Sequence, residues 1–220
     1  MGVPVFLMGE SGSGKSTSLR NFKYGEICVF NIANKPLPFK GKEMLINFND
    51  SNRYSKILKA LSTDQCNCFA IDDSQYLLSF AMFDRAKEIG YQKFTDMAVD
   101  FSGLIRYIAN NLPKDTIVYF LHHTEQSDVT GKTRIKTCGK MLDNQMTVEG
   151  LVSIVLKTDT DGKTYWIETA NDGTDTVKSP MGMFTNFEID NDLKMVDDTI
   201  RAYWELEGRK TVKPKKEIEK

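Results

Sequence analysis

The sequence predicts an α/β fold in which a mostly parallel central sheet carries helices on both faces and is finished by an antiparallel hairpin. Three observations lead there. A continuous apolar run at residues 3–8 passes directly into a glycine-rich loop and then into a helical segment. Beyond it, apolar runs of strand length alternate with stretches of helical spacing. Further on, the runs Leu151 to Leu156 and Tyr165 to Thr169 flank Asp159-Thr160-Asp161-Gly162, a turn composition that suits a hairpin.

Taken in order, Val3 to Met8 has no polar face and reads as a strand buried on both sides, followed by a helix from Lys15 to about Phe22. Ile27 to Ile32 is a second strand, and Met44 to Phe48 a third. Between them Asn34-Lys35-Pro36-Leu37-Pro38-Phe39-Lys40-Gly41 forms a turn-rich connection with two prolines. Asn49-Asp50-Ser51 caps a helix whose apolar residues Tyr54, Ile57, Leu58 and Leu61 share one face. Asn67 to Ile71 is a strand closed by Asp72 and Asp73, and the stretch after Ser74 is helical up to Gly90. A longer helix follows from Tyr91 to Asn111, ended by Pro113.

Thr116 to Leu121 is the next buried strand and ends at His122-His123. Thr124 to Cys138 turns polar and reads as a loop or hairpin. Asn171 to Phe184 is rich in turn residues with an apolar close, the pattern of a loop folded over adenine or over a neighbouring subunit. Asn191 to Glu207 completes the elements as an amphipathic helix. The expected organisation is one domain, 1–207, followed by a charged and frayed tail, 208–220.

Of the 220 residues, 40% are hydrophobic and 27% charged, and no apolar run is long enough to span a bilayer. The N-terminal segment reads as a core strand rather than a leader, so a cytoplasmic protein with no membrane partner is expected. A net charge of −1 means that any affinity for nucleic acid must come from a local patch. The four cysteines lack metal-ligand spacing and read as small buried side chains.

Chemistry concentrates in Gly9-Glu10-Ser11-Gly12-Ser13-Gly14-Lys15-Ser16, a complete G-x-x-x-x-G-K-[ST] pattern between a strand and a helix. Residues from Gly9 through Thr17 form the expected cradle for a nucleoside triphosphate, with backbone N–H groups and the helix terminus turned to its oxygens. Lys15 is expected to bridge the outer phosphates and Ser16 to bind Mg²⁺. An acid at a strand end beside this loop would complete the metal shell, and Phe69-Ala70-Ile71-Asp72 supplies it in Asp72. Asp73 is read either as the base that activates water or, with Ser74, as a helix N-cap.

A polar side chain at the end of the following strand would sense the γ-phosphate. Strand alternation allows only one of His122 and His123 that role, and His123, nearer the tip, is preferred. Lys132, Arg134 and Lys136 alternate, so an extended strand would set them on one face to follow the backbone of single-stranded DNA. Lys140 is the candidate for a finger that enters a neighbour's site. The remaining reading of this basic segment is a solvated charged loop.

With the glycine-rich motif, Asn34-Lys35-Pro36-Leu37-Pro38-Phe39, Ile71-Asp72-Asp73-Ser74, His122-His123, Gly139-Lys140 and Lys178-Ser179-Pro180-Met181-Gly182-Met183-Phe184 on the page, the chain resembles the small RecA-like P-loop ATPases of phages assigned to single-strand annealing and recombination. The resemblance covers most of residues 3–190. It implies an oligomeric ATPase using ATP and Mg²⁺, acting on single-stranded DNA, with a single-strand-binding protein as a possible companion. One departure stands out: the strand at 27–32 offers no acid where RecA-type proteins carry their catalytic glutamate. Two other readings are a nucleotide-gated adaptor with little hydrolysis and a small-molecule kinase. The kinase fits less well, because the cations after the histidines are mostly lysines rather than the arginines of a clamping lid.

Overall fold

The computed structural model describes residues 1–41, 44–48, 51–63, 65–138 and 147–212. The strands are β1 (Val3–Gly9), β2 (Cys28–Asn31), β3 (Leu45–Asn47), β4 (Cys68–Asp72), β5 (Ile117–Gln126), β6 (Thr133–Ile135), β7 (Ile154–Thr160), β8 (Tyr165–Glu168) and β9 (Glu188–Asp190). Helices α1 (Arg53–Leu61), α2 (Tyr76–Asp84), α3 (Gln92–Asn111) and α4 (Leu193–Tyr203) connect or follow them. The result is an α/β fold on a mixed, mostly parallel sheet ordered β3-β2-β4-β5-β1-β7-β8-β9, with β6 paired to β5.

Alternation along the strands divides the core in two. Phe6 and Met8 of β1 face a layer with Phe30, Phe69, Ile71 and Phe120, while Val5 and Leu7 face the opposite layer with Val29, Ala70, Tyr119 and Leu121. The first layer is covered by α1, α2 and α3, whose inward residues include Ile57, Leu78 and Phe101. The second receives Leu193, Val196 and Ile200 of α4. Stacked pairs Phe6/Phe120, with centroids 4.7 Å apart, and Phe30/Phe69, at 5.8 Å, lock neighbouring strands together. Each such ring stabilises the fold by about 1.5–3 kcal/mol through burial.

The hairpin expected at Asp159 to Gly162 is present as the antiparallel pair β7/β8, extended by β9. Thr124 to Cys138 takes its hairpin form, with β5 running on to Gln126 and returning as β6. Three expectations need correction. The helix expected from Lys15 to about Phe22 is shorter, Ser16–Asn21, and of 3-10 form. Its hydroxyls account for this, since Ser18 Oγ donates to the Lys15 carbonyl at 2.5 Å and competes with regular helical bonding. Helix α2 stops at Asp84, and Arg85 beyond it is held by Glu88 and Asp96 at 2.7 Å each.

The third correction concerns the tail. Arg209 pairs with Asp197 and Asp198 at 2.6 Å each, the Lys210 N–H donates to Asn67 Oδ1 at 2.8 Å, and Val212 N–H donates to the Gly25 carbonyl at 3.0 Å. Residues 209–212 are therefore docked rather than frayed. The tail from 213 onward, the capping pair Asn49-Asp50 and Lys140 lie outside the described residues. Among the described residues, no helix is long and apolar enough to cross a membrane.

Candidate functional site

Parallel strands deliver their carboxyl ends to one edge of the sheet, and the polar residues singled out in the sequence gather there. The loop after β1 is drawn tight around its own lysine. Lys15 is 7% exposed, and its Nζ donates to the carbonyls of Gly9 at 2.8 Å and Glu10 at 2.7 Å. Burial lowers its pKa to about 8, opposed by the Asp73 and Asp72 carboxylates. A buried cation facing an open cavity is suited to take up an anion, because phosphate oxygens can replace the carbonyls at higher charge. The Glu10 side chain is exposed, and its carbonyl also accepts from Ser13 Oγ at 2.9 Å.

Two glycines in the loop are fixed by geometry. Gly14 has φ of +93°, and a Cβ there would collide with Asn191 and the Tyr165 ring. Gly9 packs so closely on Thr158 and Ser13 that no side chain fits. Because the following helix is a single short 3-10 segment, anion affinity falls on the loop amides and Lys15 rather than on a long helix dipole.

Asp72 stands at the end of β4, which is separated from β1 by β5 instead of adjoining it. The carboxylate still reaches the loop, where Ser16 Oγ donates to Asp72 Oδ1 at 2.8 Å. Asp72 is 7% exposed, and this burial raises its pKa despite the bond from Ser16. The pair forms a hard oxygen donor set, an alcohol and a carboxylate, of the kind that suits Mg²⁺ completed by phosphate oxygens and water.

Asp73 adopts a left-handed backbone, φ +56°, which swings its carboxylate away from Asp72 and toward β2 and β5. It meets Lys35 Nζ at 2.7 Å and His123 Nε2 at 3.3 Å. Burial would raise its pKa, but the bonds from His123 and Lys35 outweigh that and hold it down at about 2. The N-cap reading fails here. Helix α2 has Gln75 at its cap, with no side-chain cap bond, and Ser74 Oγ lies 2.8 Å from His122 Nδ1.

The two histidines divide as strand alternation requires, but within β5 and not at its tip. His123 lies in register with Gly9 of β1 and faces Asp73. His122 is fully buried, its Nε2 donating to the Lys136 carbonyl at 2.7 Å. Burial brings its pKa down to about 3. Of the alternating cations, Arg134 is paired with Glu125 at 2.9 Å, Lys132 is half-buried and Lys136 is exposed. The Lys136 backbone bonds both histidines, its N–H donating to the His123 carbonyl at 2.9 Å. The basic hairpin is thus tied to the site.

The chain matches no protein-family model and no curated protein.

What the chain can hold is set by a cavity of about 270 Å³ between the loop and the residues after β2. Ser11, Gly12 and Gly14 to Thr17 form one wall, Lys35, Pro36 and Pro38 another, and Asp72, Asp73 and His123 the floor. Lys35, Asn31, Thr158, Tyr165 and Asn191 are the participants that sequence reasoning missed as site residues. Asn191 donates to the Gly14 carbonyl at 3.1 Å, and Arg20 donates to the Asn191 carbonyl. Tyr165 places a half-exposed ring at the cavity rim. The turn signal at Asn34-Lys35-Pro36 was visible in sequence, but nothing local said which strand end it faces.

The loop at 171–184 folds onto its own chain. Val177 and Met183 are buried in the two core layers, and Lys178 exchanges backbone bonds with Val155 at 2.8 Å. Of its apolar close, Met183 is buried and Phe184 packs against the same layer, while Met181 is 95% exposed.

Proposed function

We propose that this chain is a RecA-like P-loop ATPase that binds Mg-ATP at residues 9–17 and acts on single-stranded DNA in recombination or annealing. The observation that carries the nucleotide part is the Ser16–Asp72 bond at 2.8 Å beside the buried ammonium of Lys15. A cation and a hard-oxygen pair meet at one cavity, as a metal–triphosphate requires. Mg²⁺ held by Ser16 and Asp72 would neutralise charge on the outer phosphates. Lys15 would leave the loop carbonyls for phosphate oxygens, and the amides from Ser11 to Thr17 would orient the chain of phosphates.

Asp73 supplies the base in this reading and His123 the sensor. Because β5 lies between β1 and β4, His123 is placed next to both Gly9 and Asp73, a position from which it can report the γ-phosphate. Its backbone bond to Lys136 then offers a route to the basic hairpin, where Lys132 and Lys136 would contact a DNA backbone. The DNA part, a homo-oligomer with Lys140 as its finger, and a single-strand-binding protein as companion all follow from the family resemblance.

A second reading, a nucleotide-gated adaptor with little turnover, is favoured by a specific observation. Asp73 is ionised but engaged by two partners, and β2 ends in Asn31, not in an acid. The deciding experiment measures ATP hydrolysis with and without single-stranded DNA, with Lys15→Ala as control and gel-filtration mass taken on the same samples. DNA-stimulated turnover lost in Lys15→Ala supports the ATPase. Binding of ATP without turnover or DNA response moves the assignment to the adaptor, and no nucleotide binding by the native chain refutes both.

A further inference from the structure

Lys35 reaches the site from a connection that the glycine-rich motif does not define, and its placement is built rather than incidental. Asn31, 3% exposed at the end of β2, grips the Lys35 backbone from both sides. Its Oδ1 accepts from the Lys35 N–H at 3.1 Å and its Nδ2 donates to the Lys35 carbonyl at 2.7 Å. Next to it Asn34, held at φ +54°, pairs reciprocally with the Phe48 backbone, accepting from its N–H at 3.0 Å and donating to its carbonyl. Two side-chain amide clamps, one from buried Asn31 and one from exposed Asn34, therefore fix the base of this side chain.

The tip is free by comparison. The Lys35 side chain is 58% exposed, and its ammonium sits 2.7 Å from Asp73 and 5.2 Å from the centre of the Tyr76 ring. It lines the same cavity as Lys15, Ser16, Asp72 and His123, on the wall opposite the loop. The lysine end of this ion pair is open to solvent while Asp73 is only 14% exposed, and a more highly charged phosphate in the cavity competes with the carboxylate for the ammonium. A long lysine stem on a fixed backbone can make that exchange by rotating a few side-chain bonds.

We propose that Lys35 is the residue that distinguishes a nucleoside triphosphate from a diphosphate, moving from Asp73 to the terminal phosphate when the triphosphate binds. Asp73 is its resting partner. The exchange leaves Asp73 with His123 alone and frees a carboxylate oxygen to hold water, so occupancy by the triphosphate and readiness of the base become one event. This inference rests on the nucleotide reading of the site and adds a cis-acting specificity determinant to it.

The test titrates a non-hydrolysable ATP analogue and ADP, each with Mg²⁺, into the full native chain, Lys35→Met and Lys35→Arg. Lys35→Met is expected to weaken the triphosphate by about tenfold or more, the scale of one charge-assisted contact, while ADP affinity stays within about twofold. Lys35→Arg, which keeps the charge, should recover most of the loss. Unchanged triphosphate affinity in Lys35→Met, or an equal loss for both nucleotides, would overturn the assignment. A native chain that binds neither nucleotide would sink the nucleotide reading itself, and the role of Lys35 with it.

Discussion

His122 offers a test of the site's architecture that needs no ligand. The ring is fully buried, with Nε2 donating to the Lys136 carbonyl and Nδ1 2.8 Å from Ser74 Oγ, partners that serve either protonation state, so it is burial that favours the neutral ring. Burial brings its pKa to about 3, with smaller opposing contributions from the Lys136 bond and the Asp73 charge, and like-sign ones from His123 and Lys15. The unfolded chain takes up a proton near pH 6.5, whereas the folded chain refuses it until about pH 3. The contribution is therefore complete above pH 6.5 and is lost progressively as pH falls toward 3. Between pH 7 and 5 the loss comes to about 2 kcal/mol by proton linkage. At a urea slope of ~2–3 kcal/mol/M, the midpoint should fall by about 0.7–1 M. Urea unfolding of the native chain and of His122→Gln at both pH values isolates this residue, because carboxylates common to both proteins cancel. The variant will start less stable but should lose about 2 kcal/mol less on acidification. Equal losses in the two proteins would refute the claim that His122 is held neutral, and would reopen it as a charged sensor.

Asp72→Asn keeps the size of the side chain and its bond with Ser16 but removes the charge, so nucleotide affinity measured in EDTA should stay within about threefold while the gain on adding Mg²⁺ disappears. In DNA-binding titrations across salt concentrations, Lys136→Ala should lower the slope of log affinity against log salt by about 1. Arg134→Ala should change it less, because that guanidinium is already spent on Glu125 at 2.9 Å. Asp197→Ala leaves buried Arg201 without a carboxylate and Arg209 with Asp198 alone, and should cost about 3–5 kcal/mol. Calorimetry should find a melting temperature lower by roughly 6–20 °C.

How much of this was legible in the sequence follows from the range over which each feature acts. The glycine-rich loop is contiguous, so it could be read whole. Asp72 was readable because a buried apolar run stops at it, and the β7/β8 turn because Asp159 to Gly162 states its own geometry. Strand order was not readable, since apolar patterning says that a strand is buried but not which strand lies beside it. The insertion of β5 between β1 and β4, which sets His123 against Asp73, is thus a property of the folded chain alone. Lys35 and Asp73 are 38 residues apart, and Asn191 and Gly14 are 177 apart. Both contacts depend on which loops the sheet brings to one edge. The ionic docking of 209–212 was missed because a charged, proline-containing tail reads as solvated unless its buried partner, Asp197, is known.

Asp197 also explains how α4 serves the site from the far side of the sheet. Its Oδ1 accepts from Tyr119 at 2.9 Å and its Oδ2 from Arg201 at 2.7 Å and Arg209 at 2.6 Å. Arg201 donates in turn to the carbonyls of Asp115 and Asn67, the residues leading into β5 and β4. The amino ends of the two strands that carry Asp72 and His123 are therefore pinned to one helix. Asn191, two residues before that helix begins, is bonded to Gly14 inside the loop, and Asp192 accepts from Asn21 at 2.6 Å. One rigid element thus touches the loop at one edge of the sheet and the roots of β4 and β5 at the other. Distances between Lys15, Ser16 and Asp72 are consequently set by packed structure on both sides of the cavity. The adjustable parts are the side chains that bridge it, Lys35 above all, whose backbone is fixed and whose charge is free to move.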